Sequence, residues 1–201
     1  MSTQWMQSYQ VPHIGGLTLA PDSWAHDAPL RASAVLCLMI PGLTPGSPLR
    51  ILFTRRSALV SSHRGQIGFP GGRREQADTS PVVTALRETE EEIGVLSHRI
   101  EILGSLPPVK ALDLHPVIPI VGVAQLTLDE CRPNADEVAE VFALDWTYFT
   151  AASRNAVRFN LFGRWRETAI YPAEGYGVWG LTAMMLTRAL IASSPATSPT
   201  P

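Results

Sequence analysis

Glu88, Glu91 and Glu92 are the residues whose type and spacing point most directly to chemistry. They sit in the run Ala85-Leu86-Arg87-Glu88-Thr89-Glu90-Glu91-Glu92-Ile93-Gly94-Val95. On a helix that advances about 100° per residue, with Glu88 at zero, Glu91 falls at about −60° and Glu92 at about +40°. The three carboxylates share one face, and Val82, Leu86, Thr89 and Ile93 gather on a separate stripe suited to burial. Like charges at i,i+3 and i,i+4 cost a few tenths of a kcal/mol each. Arg87, four residues before Glu91, offsets part of that cost, but one arginine is too little for three carboxylates. Hard oxygen ligands in this number select a divalent cation, magnesium or manganese.

The elements that must position these groups have clear end signals. Ser80-Pro81 offers an N-cap followed by proline at the first helical position. Gly94 sits where a left-handed residue closes a helix. The spacing therefore predicts a helix over roughly 81–93. Upstream, in Phe69-Pro70-Gly71-Gly72, the two glycines let the backbone turn sharply and approach a ligand closely. The expected unit is a glycine turn facing a carboxylate-lined helix.

These residues resemble the Nudix hydrolase signature, Gly-x5-Glu-x7-Arg-Glu-apolar-x-Glu-Glu-x-Gly-apolar. Arg87 to Val95 follow it, with Thr89 at an apolar position. The first half departs: counted from Gly72, the glutamate position holds Asp78, and the stretch to Arg87 is one residue longer. The resemblance implies that Glu88, Glu91 and Glu92, with the Gly71 carbonyl, hold the metal, and that Arg87 orients Glu91. It leaves the general base open between Glu88 and a carboxylate from a later loop, for which Glu137 is the candidate. It also implies the fold class: an α/β (α+β) protein, a Nudix-type α/β/α sandwich around a central mixed β-sheet.

A second stretch resembles the upstream motif of the coenzyme A pyrophosphatase branch. Leu52-Phe53-Thr54-Arg55-Arg56-Ser57 leads through a short loop to Gly65-Gln66-Ile67-Gly68-Phe69-Pro70-Gly71-Gly72. Ser61 stands where that motif usually carries arginine. The implied substrate-binding set is Arg55, Arg56, His63, Arg64 and Gly72, with Arg64 and His63 supplying the charge Ser61 lacks. The implied reaction is hydrolysis of the pyrophosphate of coenzyme A or acyl-CoA to adenosine 3′,5′-bisphosphate and (acyl-)4′-phosphopantetheine. Two other readings stand beside it: hydrolysis of oxidised dNTPs, ADP-ribose or NADH, and a non-catalytic nucleotide-binding module. Val178 to Ala183 resembles the start of the C-terminal helix in the same branch and reads as core packing, with Gly180 for close approach. His115, ahead of a strand, reads as structural.

The rest of the 201-residue chain is consistent with one enzyme domain. Hydrophobic residues make up 45%, enough for a sizeable core, and the net charge of −2 argues against general nucleic-acid affinity. The longest apolar run, Ala34 to Ile40, is too short to span a bilayer, and no signal-peptide pattern is expected. Cys37 and Cys131 are expected as free thiols in a reducing cytoplasm. The partner is a small nucleotide-derived molecule, and the protein is expected as a monomer or homodimer. Residues 1–30 read as an N-terminal surface segment, 31–192 as the domain and 193–201 as a disordered tail. Strands are expected at 33–40, 49–54, 66–69, 100–106, 117–124 and 137–144, with a short helix at 146–152. A hairpin is expected around 162–164, and a second long helix over 177–192.

Overall fold

The computed structural model describes residues 3–25, 28–59, 64–161 and 163–191. The 193–201 tail, Ser61, Phe162 and His63 lie outside the described residues. The elements run β1 (Ser33–Ile40), β2 (Arg50–Arg56), β3 (Ile67–Gly68), β4 (Gly71–Arg73), α1 (Pro81–Ile93), β5 (Glu101–Ser105) and β6 (Val109–Lys110). They continue with β7 (Pro116–Val123), β8 (Val138–Asp145), β9 (Asn155–Leu161), β10 (Arg164–Ala173), β11 (Tyr176–Trp179) and α2 (Gly180–Leu186).

The apolar run of β1 is continuous because both faces of the strand are covered. Ala34, Leu36, Leu38 and Ile40 enter one hydrophobic cluster with Ala85 and Ile93 of α1. Cys37 and Met39 enter the other with Ala183, Met185 and Leu186 of α2. The sheet order is β3-β2-β1-β7-β5, with β4 on β1, β6 on β7 and β8 on β2. β1 and β7 run parallel from Ser33↔Val117 to Met39↔Val123, and the other pairs are antiparallel. This is the mixed-sheet α/β/α sandwich that the sequence implied. β9, β10 and β11 form a separate antiparallel sheet.

α1 ends where its local chemistry says it should. The Val83 N–H donates to Ser80 Oγ at 3.2 Å, and Gly94 closes the helix at φ 70°. Thr89 fills its apolar position fully buried, its hydroxyl donating to the Ala85 carbonyl at 2.6 Å. The C-terminal helix is shorter than its sequence pattern predicts. Residues 177–179 extend as β11, paired with Ile170, Tyr171 and Pro172 of β10, and a π turn over Thr187–Ile191 follows α2. Gly180 does not serve close approach. A Cβ there would meet open space, and the glycine is required by its φ of +66° at the strand-to-helix corner. The expected helix near 146 is a single 3₁₀ turn, Trp146–Tyr148.

The N-terminal stretch is anchored rather than merely draped. Met6 and Trp24 are buried, and backbone bridges join Gln10 to Pro48 and Thr18 to Ser105. Among the described residues no helix is long and apolar enough to cross a membrane.

Candidate active site

β4 brings the glycine pair to α1. Phe69 anchors the approach, buried and stacked on Phe53 with ring centroids 5.4 Å apart. Full burial of such a ring contributes about 2–3 kcal/mol. The Pro70 carbonyl then accepts the Leu36 N–H at 2.8 Å, and Gly71 to Arg73 pair with Val35 to Ser33. A Cβ on Gly71 would lie 2.5 Å from both the Ala34 carbonyl and Val35 Cα. A Cβ on Gly72 would lie 2.4 Å from the Glu88 carboxyl. The first glycine thus admits β4 to the sheet edge, and the second leaves room for a carboxylate.

The three glutamates are not equivalent. The Glu92 side chain is 3% exposed, Glu88 16% and Glu91 54%, so Glu91 lies at the rim of the face. Glu92 Oε2 accepts the Gly71 N–H at 3.1 Å, and Oε1 accepts Arg56 Nη1 at 3.4 Å. Burial drives the Glu92 pKa up to about 7. The Gly71 N–H and Arg56 oppose the rise, and the charges of Glu88 and Glu137 add to it. Glu88 is likewise raised, chiefly by burial, with Arg87 opposing and Glu91 and Glu137 adding. Glu137, half-buried in the turn before β8, therefore acts electrostatically on both helix carboxylates.

Arg87 is the most heavily bonded cation of the site. Its Nε donates to Asp78 Oδ1 at 3.2 Å, and its Nη2 to Asp78 Oδ2 at 3.0 Å. Nη2 also donates to Glu88 Oε1 at 3.0 Å and to the Arg73 carbonyl at 2.9 Å, and Nη1 to Glu91 Oε2 at 2.8 Å. Asp78 is itself buried and accepts the Thr84 hydroxyl and the Glu75 N–H, each at 2.8 Å. Burial raises its pKa, but the bonds from Arg87, Glu75 and Thr84 outweigh that and hold it below the usual carboxylate range. Asp78, whose equivalence the sequence left in doubt, is the anchor of Arg87. Thr84 escaped the sequence reading; the one signal was a hydroxyl on the buried side of α1, one turn before Arg87.

The two arginines at the end of β2 part company. Arg55 pairs with Glu140 at 2.8 Å, on the face where Tyr176 donates to the same carboxylate at 2.7 Å. Arg56 points to the α1 face and Glu92. Of the expected binding loop, Arg64 is exposed and His63 lies outside the described residues. The loop neck is closed by the Gly65 N–H on the Arg56 carbonyl at 3.1 Å and the Arg56 N–H on Gln66 at 3.0 Å. The Ser57 N–H donates to the Glu137 carbonyl at 2.8 Å, which ties this loop to the turn that carries Glu137. His115 bonds Asp113 and approaches Ser33 Oγ at 3.4 Å, a structural placement. Cys37 and Cys131 are buried free thiols.

Among the described residues, no three acidic or histidine side chains converge on one point as metal ligands do. Each helix carboxylate is instead engaged by an arginine: Glu88 and Glu91 by Arg87, Glu92 by Arg56. The donor set nevertheless suits a hard divalent cation. It is all oxygen, it lies against a glycine strand that lets the Glu88 carboxyl come close, and its carboxylates are forced together against their own charge.

The fold and site together define a helix–sheet–helix enzyme class built on a glycine strand and a glutamate helix. The NUDIX domain family model matches residues 30–161, and the chain belongs to the Nudix family. An uncharacterized Nudix hydrolase NudL from Pectobacterium atrosepticum is 35% identical over 164 residues, covering 78% of this chain and 79% of the relative. The human mitochondrial coenzyme A diphosphatase NUDT8 is 37% identical over 155 residues, 76% of this chain and 66% of that protein. The mouse peroxisomal coenzyme A diphosphatase NUDT7 is 38% identical over 112 residues, 56% of this chain and 47% of that protein. A Nudix hydrolase from M. smegmatis, RenU, superposes with a TM-score of 0.49 at 18% identity, over 66% of this chain and 81% of that one.

Proposed function

We propose that the protein hydrolyses the pyrophosphate bond of coenzyme A or its thioesters, giving adenosine 3′,5′-bisphosphate and (acyl-)4′-phosphopantetheine, with magnesium or manganese as cofactor. The observation that carries the reading is the seating of Glu88 over Gly72 and of Glu92 on the Gly71 N–H. That seating crowds two carboxyls whose pKa values burial and neighbouring charge both raise, an arrangement that suits a divalent cation. The substrate class is supported by the relatives named as coenzyme A diphosphatases and by the Arg56 to Gly72 stretch.

Glu88, Glu91 and Glu92, with the Gly71 carbonyl, would hold the cation. Arg87 keeps Glu88 and Glu91 in place while Asp78 holds Arg87. The chemistry supplied by a divalent cation held there would be charge neutralisation of the pyrophosphate and acidification of a water molecule. Glu137 takes the proton of the attacking water: it is half-buried, faces the cluster electrostatically and is not committed to an arginine in any bond given above. Water adds to phosphorus, the bridging P–O bond breaks, and the two phosphate monoesters leave. Arg56 and Arg64 meet the substrate phosphates, and His63 belongs to the same proposed binding set. Two buried thiols fit a reducing, cytoplasmic setting.

The test is mass analysis of products from coenzyme A, dephospho-coenzyme A, ADP-ribose, NADH and oxidised dNTPs, each with magnesium or manganese. Cleavage of coenzyme A to the two named products supports the reading. Turnover of ADP-ribose or dNTPs alone would replace it, and activity that survives EDTA and dialysis would sink the metal mechanism.

A further inference from the structure

The site holds two cations, and they are held in different ways. Arg87 is fixed by a side-on pair of bonds to buried Asp78 and by the Arg73 carbonyl, so its position does not depend on the glutamates it touches. Arg56 has no such anchor. Among the described residues its guanidinium makes one long bond, Nη1 to Glu92 Oε1 at 3.4 Å, and its buried Nε has no partner. Its side chain is 32% exposed, so it reaches toward the open side of the site. A guanidinium has five donors and prefers two-pronged contacts. One long contact and an orphaned Nε describe a group whose best partner is elsewhere.

Glu92 is in the complementary position. Both its oxygens are occupied, one by the Gly71 N–H and one by Arg56. The Gly71 bond belongs to the backbone of β4 and persists with the fold. The oxygen that can be given up is the one facing Arg56.

We propose, resting on the reading above, that Arg56 is an exchangeable counterion. It neutralises Glu92 in the metal-free protein, vacates that carboxylate when a divalent cation takes it, and is thereby freed for the substrate phosphates. Cation and Arg56 then compete for one oxygen, and metal loading prepares the anion site. By linkage the effect runs both ways: a phosphate that draws Arg56 away strengthens cation binding by the same factor. The Asp78 anchor explains why Arg87 takes no part in the exchange.

The experiment measures Mn²⁺ affinity calorimetrically, without substrate, in wild type, Arg56→Ala and Arg55→Ala. Arg56→Ala is expected to bind Mn²⁺ at least about threefold tighter, because the competitor is gone. Arg55→Ala removes an equal charge one residue away, on the face held by Glu140, and is expected to change affinity less than about twofold. An unchanged or weaker affinity in Arg56→Ala overturns the proposal, and so does an equal gain in Arg55→Ala, which would mean bulk electrostatics. Wild type that binds Mn²⁺ but fails to cleave coenzyme A would count against the substrate reading alone. A second measurement follows the wild-type protein. The Arg56 Nε–H resonance, assigned by its loss in Arg56→Lys, is expected to shift on Mg²⁺ addition in phosphate-free buffer; an immobile resonance at saturating Mg²⁺ refutes the exchange.

Discussion

Asp78 grips Arg87 side-on, Oδ1 taking Nε at 3.2 Å and Oδ2 taking Nη2 at 3.0 Å, with the carboxylate buried. Bidentate pairs of this kind fix orientation as well as charge. Breaking a buried pair by removing one partner costs on the order of 3 kcal/mol. Asp78→Asn is therefore expected to lower the free energy of unfolding, measured in urea, by a comparable amount. It should also cut turnover, because Arg87 then floats between Glu88 and Glu91. The same pair gives an acid limb: the folded pKa of Asp78 lies below its unfolded value, so its contribution is full above about pH 4. It is lost as pH falls through the folded value. Wild-type stability in Asp78→Asn at pH 6 would contradict the assignment.

Glu92 has the opposite sign. Its folded pKa of about 7 lies above its ordinary value of 4.5, so in the metal-free protein it favours folding below the lower value. That advantage is lost as pH rises from the lower value to the higher, by up to about 3 kcal/mol. Glu92→Gln should flatten this fall in a metal-free melting series, and Mn²⁺ should restore stability at pH 8 only where Glu92 is present. A flat wild-type profile between pH 4.5 and 7 would show that Glu92 ionises freely.

The glycine pair should separate stability from activity. Gly71→Ala sets a Cβ against the β1 backbone at 2.5 Å with φ at +145°. It should cost about 2 kcal/mol or more. Gly72→Ala meets only the movable end of Glu88. It should melt near wild type while turnover falls about a hundredfold, since small displacements of reacting groups are expensive. Thermal melts beside kcat decide it, and a reversed pattern would mean that Gly72 is the structural member.

Glu88 and Glu137 are separated by asking two questions of each. Glu88→Gln should lose both Mn²⁺ affinity and turnover. Glu137→Gln should keep Mn²⁺ affinity within a few-fold and lose about 10²–10⁴ in kcat, the usual worth of a general base. Equal losses of affinity in both would make Glu137 a ligand and leave Glu88 as the base.

Arg64 offers a test of substrate recognition. If it meets the 3′-phosphate, Arg64→Ala should raise KM for coenzyme A much more than for dephospho-coenzyme A. Charge-assisted contacts to phosphate are among the stronger polar bonds. Equal effects on the two would remove the loop from 3′-phosphate recognition.

What could be read from the chain tracks how local its causes are. The limits of α1 were legible because the Ser80 cap, Pro81 and Gly94 act within a turn of the ends they define. β1 was legible because both of its faces are apolar. β4 was not, since Gly71-Gly72 reads as a turn and becomes a strand only because β1 offers an edge. The start of α2 was misread for a similar reason: Gly177 to Trp179 pair with β10, and the pattern of 177–192 gives no hint of that partner. Within the site, the carboxylate face was visible from period alone. The bonds that hold it were less so. Arg56 to Glu92 spans 36 positions; strand alternation sends Arg55 and Arg56 to opposite faces, but nothing local says which of the two meets Glu92.

The loop that leaves β2 is closed at its neck by two backbone bonds between Arg56 and the pair Gly65 and Gln66, and Ser57 is moored to Glu137. The bonds that close its neck thus belong to the frame. Lengthening such a loop costs only about 0.6 kcal/mol per doubling. A loop of another length or sequence is therefore expected to close on the same neck and leave the glutamate helix and its arginine anchor untouched, so that its effect on substrate choice can be measured apart from the chemistry.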